Sequence, residues 1–174
     1  MQEMTSEQAA FLLQTYLPRL KNESRITKSV LLAVPPDRAN YRPDPVSKSA
    51  MELVRHIASA DNFFVETVTT GAFNPGPGVP DTATTPAEVA AWYEERYTRN
   101  FEELAKATPA QLLKVVDFRG IVQQPAIGFM VTGLHHTIHH RGQLTSYLRA
   151  MGAKVPAIYG ESYDSAIAKR GVTA

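Results

Sequence analysis

Leu134-His135-His136-Thr137-Ile138-His139-His140-Arg141-Gly142-Gln143-Leu144 lies inside a helical pattern that runs over residues 124–151. The chain has five histidines, and four of them fall within six positions here. On a helix, residues four apart differ by about 40° and stand one above the other. Two chelating pairs are therefore possible, His135/His139 and His136/His140. The face of His136 and His140 also carries Phe129, Gly133, Gln143, Leu144 and Tyr147, and this largely apolar company turns it inward. The face of His135 and His139 carries Thr132, Gly142, Ser146 and Arg149, so these two read as solvated or interfacial. A further apolar stripe, Ile127, Leu134, Ile138 and Leu148, lies on the opposite side. A helix apolar on two sides is either central to its fold or buried by another subunit.

Working outward, proline and glycine punctuate the chain at a few places, and long helical patterns lie between them. Pro35, Pro36, Pro43 and Pro45 mark one connection, and Gly71 to Pro80 mark a second. Pro109, Gly120 and Pro125 bracket a third. Each pattern has a start signal. Thr5-Ser6-Glu7-Gln8 and Ser49-Ala50-Met51-Glu52 fit the capping box, in which the first and fourth side chains satisfy each other's orphan backbone donors. Thr85-Pro86-Ala87-Glu88 adds proline at the first helical position, where its missing N–H costs nothing. Thr108-Pro109-Ala110-Gln111 repeats the form and opens a short turn, and Pro125 is placed to open the last helix.

The reading is four long helices over roughly 5–33, 47–70, 86–107 and 124–151, with boundaries good to about 2–4 residues. Pro18 should kink the first. Residues 112–123 could include a short extended piece, but no set of strands is long or numerous enough for a sheet. Helices this long bury their apolar faces best against one another, so the expected fold is all-α, an antiparallel four-helix bundle. The tail 152–174 carries Val155, Ile158, Tyr159 and Tyr163 and should pack across one end.

The 174 residues suit one domain, residues 1–174. The composition, 44% hydrophobic and 20% charged, is that of a globular chain and not of a disordered one. The net charge is +1 and the basic residues are scattered, which argues against a nucleic-acid partner. Without cysteine there is no disulfide, thiolate metal site, Fe–S cluster or cysteine nucleophile. No basic start followed by an apolar stretch marks a secretory signal, and no run approaches a membrane span. The expectation is a cytoplasmic protein with no membrane contact.

The fifth histidine, His56, has Leu53, Ile57, Ala60 and Phe63 around it at helical spacing and should also face inward. Alone, it would read as a hydrogen-bonded core residue. With His136 and His140 it completes a set of three inward imidazoles from two helices. Three histidines without a thiolate suit Zn²⁺, Ni²⁺, Fe²⁺ or Cu²⁺ and leave a coordination position open. Other chemistries find no support. The zinc-protease helix needs Glu after its first His, and Thr137 stands there. Gly76-Pro77-Gly78 is too proline-rich for a phosphate loop, no Gly-x-Ser-x-Gly elbow occurs, and no pair of Glu-x-x-His motifs supports a di-metal site. Trp92, Tyr93 and Tyr97 read as helix packing.

His136-Thr137-Ile138-His139-His140-Arg141-Gly142-Gln143 resembles the His-x-x-x-His-Arg-Gly-Gln hallmark of the DinB-like (YfiT-like) metalloenzyme superfamily. Val34-Pro35-Pro36-Asp37 with Tyr41-Arg42-Pro43 is similar to that family's first connection. Glu52-Leu53-Val54-Arg55-His56-Ile57-Ala58 looks like its second-helix histidine segment, and Lys154-Val155-Pro156-Ala157-Ile158-Tyr159-Gly160 like its tail. The chain departs from many relatives at Ser47-Lys48-Ser49, where they carry an aromatic residue. The resemblance implies a DinB/YfiT-type bundle, a homodimer, and one divalent metal per chain, zinc or nickel, held by His56, His136 and His140.

The resemblance leaves the reaction open. Some members look like transferases of small cellular thiols, and others are labelled only as metal-dependent hydrolases. The leading expectation is a metal-dependent enzyme that transfers a low-molecular-weight thiol to a small-molecule electrophile. The alternatives are a hydrolase using metal-bound hydroxide and a non-catalytic metal-binding stress or scaffold protein. Gln143, on the ligand face, could hydrogen-bond in the pocket. Arg141, rotated about 100° from His140, should make a helix–helix or tail contact. Glu52 is a candidate acceptor for a ligand imidazole.

Overall fold

A computed structural model describes residues 4–171. Four long helices form it: α1 (Ser6–Leu32), α2 (Ala50–Thr70), α3 (Pro86–Ala105) and α5 (Ala126–Ala150). Between α3 and α5 stand the short helix α4 (Pro109–Leu113) and a hairpin of β1 (Val115–Phe118) and β2 (Val122–Pro125). A last short helix, α6 (Tyr163–Lys169), lies in the tail. The expected capping boxes at Thr5, Ser49, Thr85 and Thr108 all form. Gly71 closes α2 in the left-handed conformation at φ 62°, which glycine adopts without a Cβ penalty.

Side-chain pairs give the order and direction of the helices. On α2 and α5, His56 meets His136, Asp61 meets Thr137, and Phe64 lies beside Gly133, so these helices run antiparallel. Lys28 meets Glu94 across α1 and α3. Arg55 reaches the carbonyls of Val79 and Ala83, just before α3, while Glu66 meets Arg96, so α2 and α3 run the same way. Two parallel neighbours need a return stretch as long as a helix. A helix of 21 residues spans about 30 Å, and the segment 71–85 covers that distance when extended. Around the bundle the order is α1, α3, α2, α5, with α1 closing against α5. Leu31, Leu53, Ile57, Tyr93, Phe129, Leu144 and Leu148 are among the side chains buried at its centre.

One expectation needs correction. The chain does form a sheet, though only the two-stranded hairpin, paired from Val115 opposite Pro125 to Phe118 opposite Val122. Its Val116 is buried, which gives so short a pair its anchor. Helix α1 runs from Ser6 to Leu32 through Pro18 without interruption. Pro18 and Gln14, whose carbonyl loses its partner, both lie on the exposed side, where water replaces the missing donor. In the tail, Val155 and Ile158 pack on the core, but Tyr159 and Tyr163 are exposed. Among the described residues, no helix is long and apolar enough to cross a membrane.

Candidate metal centre

Helix α5 approaches α2 closely enough to join their histidines because position 133 is glycine. A Cβ there would sit 2.5 Å from Cβ of Phe64, closer than real contacts allow. One turn further along α5, the imidazoles of His136 and His140 meet His56. The Nε2 atoms of His56 and His136 are 3.2 Å apart. The ring centroids of His140 lie 4.5 Å from those of both His56 and His136. One nitrogen from each ring falls within 4.8 Å of the others, so the three could hold one metal ion. His135 and His139 are exposed and stand outside this group, as their polar face implied.

The electrostatics suit a cation. Burial, then the charge of His140 and of Lys48, holds the His56 pKa down to about 4. Burial and the neighbouring imidazoles hold His136 down to about 4 as well. Burial also lowers His140. At neutral pH the rings are therefore neutral, and their lone pairs are available to a metal. Gln143 Oε1 lies 3.1 Å from Nδ1 of His140 and can only accept, so His140 carries its proton on Nδ1 and turns Nε2 to the group. Gln143 Nε2 donates in turn to the hydroxyl of Tyr147 at 3.4 Å. Nδ1 of His136 is buried without a partner.

Three other side chains differ from or exceed the expectations. Glu52 does not serve an imidazole. Its carboxylate accepts from the Ser49 backbone and from Arg42, because the capping box holds it at the helix start. Arg141 makes both the helix and the tail contact. It is 1% exposed, donates to Glu23 at 2.6 Å and to the Tyr159 hydroxyl at 2.5 Å, and reaches Thr27 Oγ1 at 3.2 Å. Asp61 is a buried polar residue beyond the expected set. Its carboxylate, buried in the α2–α5 seam, accepts from Tyr93 at 2.6 Å and Thr137 at 2.9 Å. Burial raises its pKa to about 6. The signal was present, since Ile57 and Phe64 put Asp61 on the apolar stripe of α2, where a charge needs partners.

A cavity of about 390 Å³ opens beside His56 and His136. Phe63, Phe73, Trp92 and Phe118 supply apolar walls. Gly76-Pro77-Gly78 also lines it, and a Cβ at Gly78 would fall 2.7 Å from Ser59 Oγ.

The model of the DinB superfamily matches residues 19–144, a stretch that includes all three histidines. The chain belongs to the DinB superfamily. Among curated proteins it is 30% identical over 135 residues to the uncharacterized protein YjoA of Bacillus subtilis (strain 168), covering 73% of this chain and 82% of that one. The solved structure of that DinB-like YjoA superposes with a TM-score of 0.69 at 25% identity, over 84% of this chain and 98% of that one. A DinB-like protein from Bacillus cereus ATCC 10987 shares the fold, with a TM-score of 0.66 at 24% identity, over 85% of this chain and 95% of that one. The expected DinB-type all-α architecture is thus the observed one.

Proposed function

We propose that this DinB-superfamily chain is a metal-dependent enzyme that transfers a small cellular thiol to an electrophile. The observation that carries the reading is a group of three neutral imidazoles, two of which, His56 and His136, line a cavity large enough for a small molecule. His56, His136 and His140 would hold one divalent ion, and an all-imidazole donor set suits Zn²⁺ or Ni²⁺. When bound, such an ion lowers the pKa of a thiol so that it reacts as a thiolate near neutral pH.

The chain's own residues do the rest. Gln143 orients His140 by accepting its Nδ1 proton. Phe63, Phe73 and Phe118 exclude water from the electrophile's side of the cavity. In the reaction the thiol gives up its proton, sulfur bonds to the electrophilic carbon, and the leaving group departs and takes up a proton from solvent. Hydrolysis is the weaker reading, because among the described residues no carboxylate belongs to the histidine group to serve as base. The proposal includes a homodimer, with the half-buried Leu134 and Ile138 of α5 as the face a second copy would cover.

The test is elemental analysis of untagged protein beside His140→Ala, followed by thiol consumption with monochlorobimane. About one zinc or nickel per chain, lost in the variant, and metal-dependent thiol consumption are expected. Stoichiometric metal without any thiol turnover would remove the transferase reading. Sedimentation velocity checks the dimer.

A further inference from the structure

Two arginines line the cavity beside the triad, and they keep different company. Arg96 Nε donates to Glu66 Oε1 at 2.7 Å, and Asn100 donates to the same oxygen at 2.9 Å. That guanidinium lies over Trp92, and its charge is balanced. Arg119 forms no ion pair among the described residues. Its guanidinium stands 5.7 Å from the centroid of Phe73, so it faces an apolar wall.

The backbone under Arg119 is unusual. Its φ is 52°, and it is the one non-glycine residue with positive φ among those described. It shares the β1–β2 turn with Gly120, at φ 73°, closed by the Ile121 N–H donating to the Phe118 carbonyl at 2.9 Å. Turns with positive φ at both central positions favour Asn-Gly or Asp-Gly. An arginine in the first position is a local cost, and such outliers concentrate where a ligand is held. The same turn delivers the neighbouring ring of Phe118 to Phe73, 4.2 Å between centroids, and Phe73 lies 4.5 Å from Phe63. An unbalanced, solvent-exposed cation thus lines an aromatic-walled cavity, with His56 and His136 also on its wall.

We infer that Arg119 is the anion-binding arm of the cavity, and that the electrophile is a small apolar carboxylic acid. Its body lies among Phe63, Phe73 and Phe118, and its carboxylate pairs with Arg119, leaving the rest of the molecule toward the histidines. The inference names the electrophile of the reaction proposed above and rests on that reading for the electrophile's role, while the binding itself stands without the metal. One charge suits the site, since one guanidinium is unpaired and the walls are apolar. The assignment concerns recognition alone.

The test uses 3-phenylpropanoate and its neutral amide, 3-phenylpropanamide. Trp92 is the only tryptophan of the chain and lines the cavity, so its fluorescence reports binding. Wild type should bind the acid about tenfold more tightly than the amide, as a charge-assisted pair allows. Arg119→Gln should abolish that advantage and leave the amide's Kd unchanged, which also reports an intact fold. Equal affinities in wild type, an advantage that survives in Arg119→Gln, or binding of neither compound would overturn the inference. Repeating the titration in His140→Ala separates the two claims. An acid preference in a chain whose wild type takes up no metal upholds Arg119 and removes the metal reading. A loaded metal centre with no acid preference does the reverse.

Discussion

Nδ1 of His140 and Oε1 of Gln143 lie 3.1 Å apart, one turn apart on α5. An acceptor on one ring nitrogen commits the other to the group formed with His56 and His136. Removing such a partner lowers metal affinity by about 10–100-fold in comparable sites. Gln143→Ala is therefore expected to weaken Zn²⁺ binding by that factor while the helical content is unchanged. Competition with a chromogenic chelator, alongside circular dichroism, measures both. Unchanged affinity would mean that Gln143 does not orient the ring.

The metal-free protein should lose stability in mild acid. The unfolded chain takes up protons at His56 and His136 as pH falls through about 6.5, but the folded chain does so only near pH 4. Because the unfolded state then binds more protons, folding stability declines as pH falls through that window. Thermal melts from pH 7 to pH 4 should show the fall, and His56→Gln with His136→Gln should flatten it. A variant curve as steep as wild type would refute the assignment.

Asp61 contributes with the opposite sign. Burial, its main cause, lifts the folded pKa to about 6 from 3.8, so here the folded state holds the extra proton. Stability from this group is lost as pH rises from about 4 to about 6 and is level above that. Asp61→Asn removes the titration. The stability of the variant relative to wild type should rise across the same window in urea titrations. A difference that does not vary with pH would show that Asp61 does not titrate there.

Arg141 and Glu23 form an ion pair in which the arginine side chain is 2% exposed and the glutamate 15%. Removing one partner of such a pair leaves an uncompensated buried charge, at a cost of about 3–5 kcal/mol. Arg141→Met takes the guanidinium from Glu23, which keeps only the Tyr159 hydroxyl as donor at 3.0 Å, and should cost that much in guanidinium unfolding. Arg141→Lys should also be destabilised, because one ammonium cannot reproduce the guanidinium's contacts with Glu23, Thr27 and Tyr159. A change below about 1 kcal/mol in Arg141→Met would contradict this account.

Gly133→Ala probes the approach of α5 to α2. Its Cβ would meet Cβ of Phe64 at 2.5 Å, and neither backbone can yield without separating the helices. Overpacking of this kind costs about 1–3 kcal/mol. The separation should also spread His136 and His140 from His56, so Zn²⁺ affinity should fall together with stability. Loss of stability with intact affinity would show that the triad tolerates the shift.

The helices were legible because their signals are local. A capping box spans four residues, so Thr5, Ser49, Thr85 and Thr108 announced their helix starts from the sequence alone. The inward face of α5 was legible from helical spacing, which separated His136 and His140 from His135 and His139. Arg141 was correctly turned away from His140, but its partner Glu23 lies 118 positions earlier, beyond any helical repeat. The hairpin was hidden for another reason. Its strands have four residues each, and their apolar pattern is too short to separate from loop.

Composition, spacing and caps are properties of neighbours along the chain, and they were enough for an all-α bundle with three inward histidines. The order α1, α3, α2, α5, the parallel run of α2 with α3, and the seam holding Asp61 against Tyr93 and Thr137 depend on contacts between distant segments. So does the cavity, whose walls come from α2, the 71–85 segment, α3, the hairpin turn and α5. No periodicity encodes which helix packs beside which, because an apolar face only states that it must be covered. Close fit selects the neighbour, and here the missing side chain of Gly133 and the ring of Phe64 provide it.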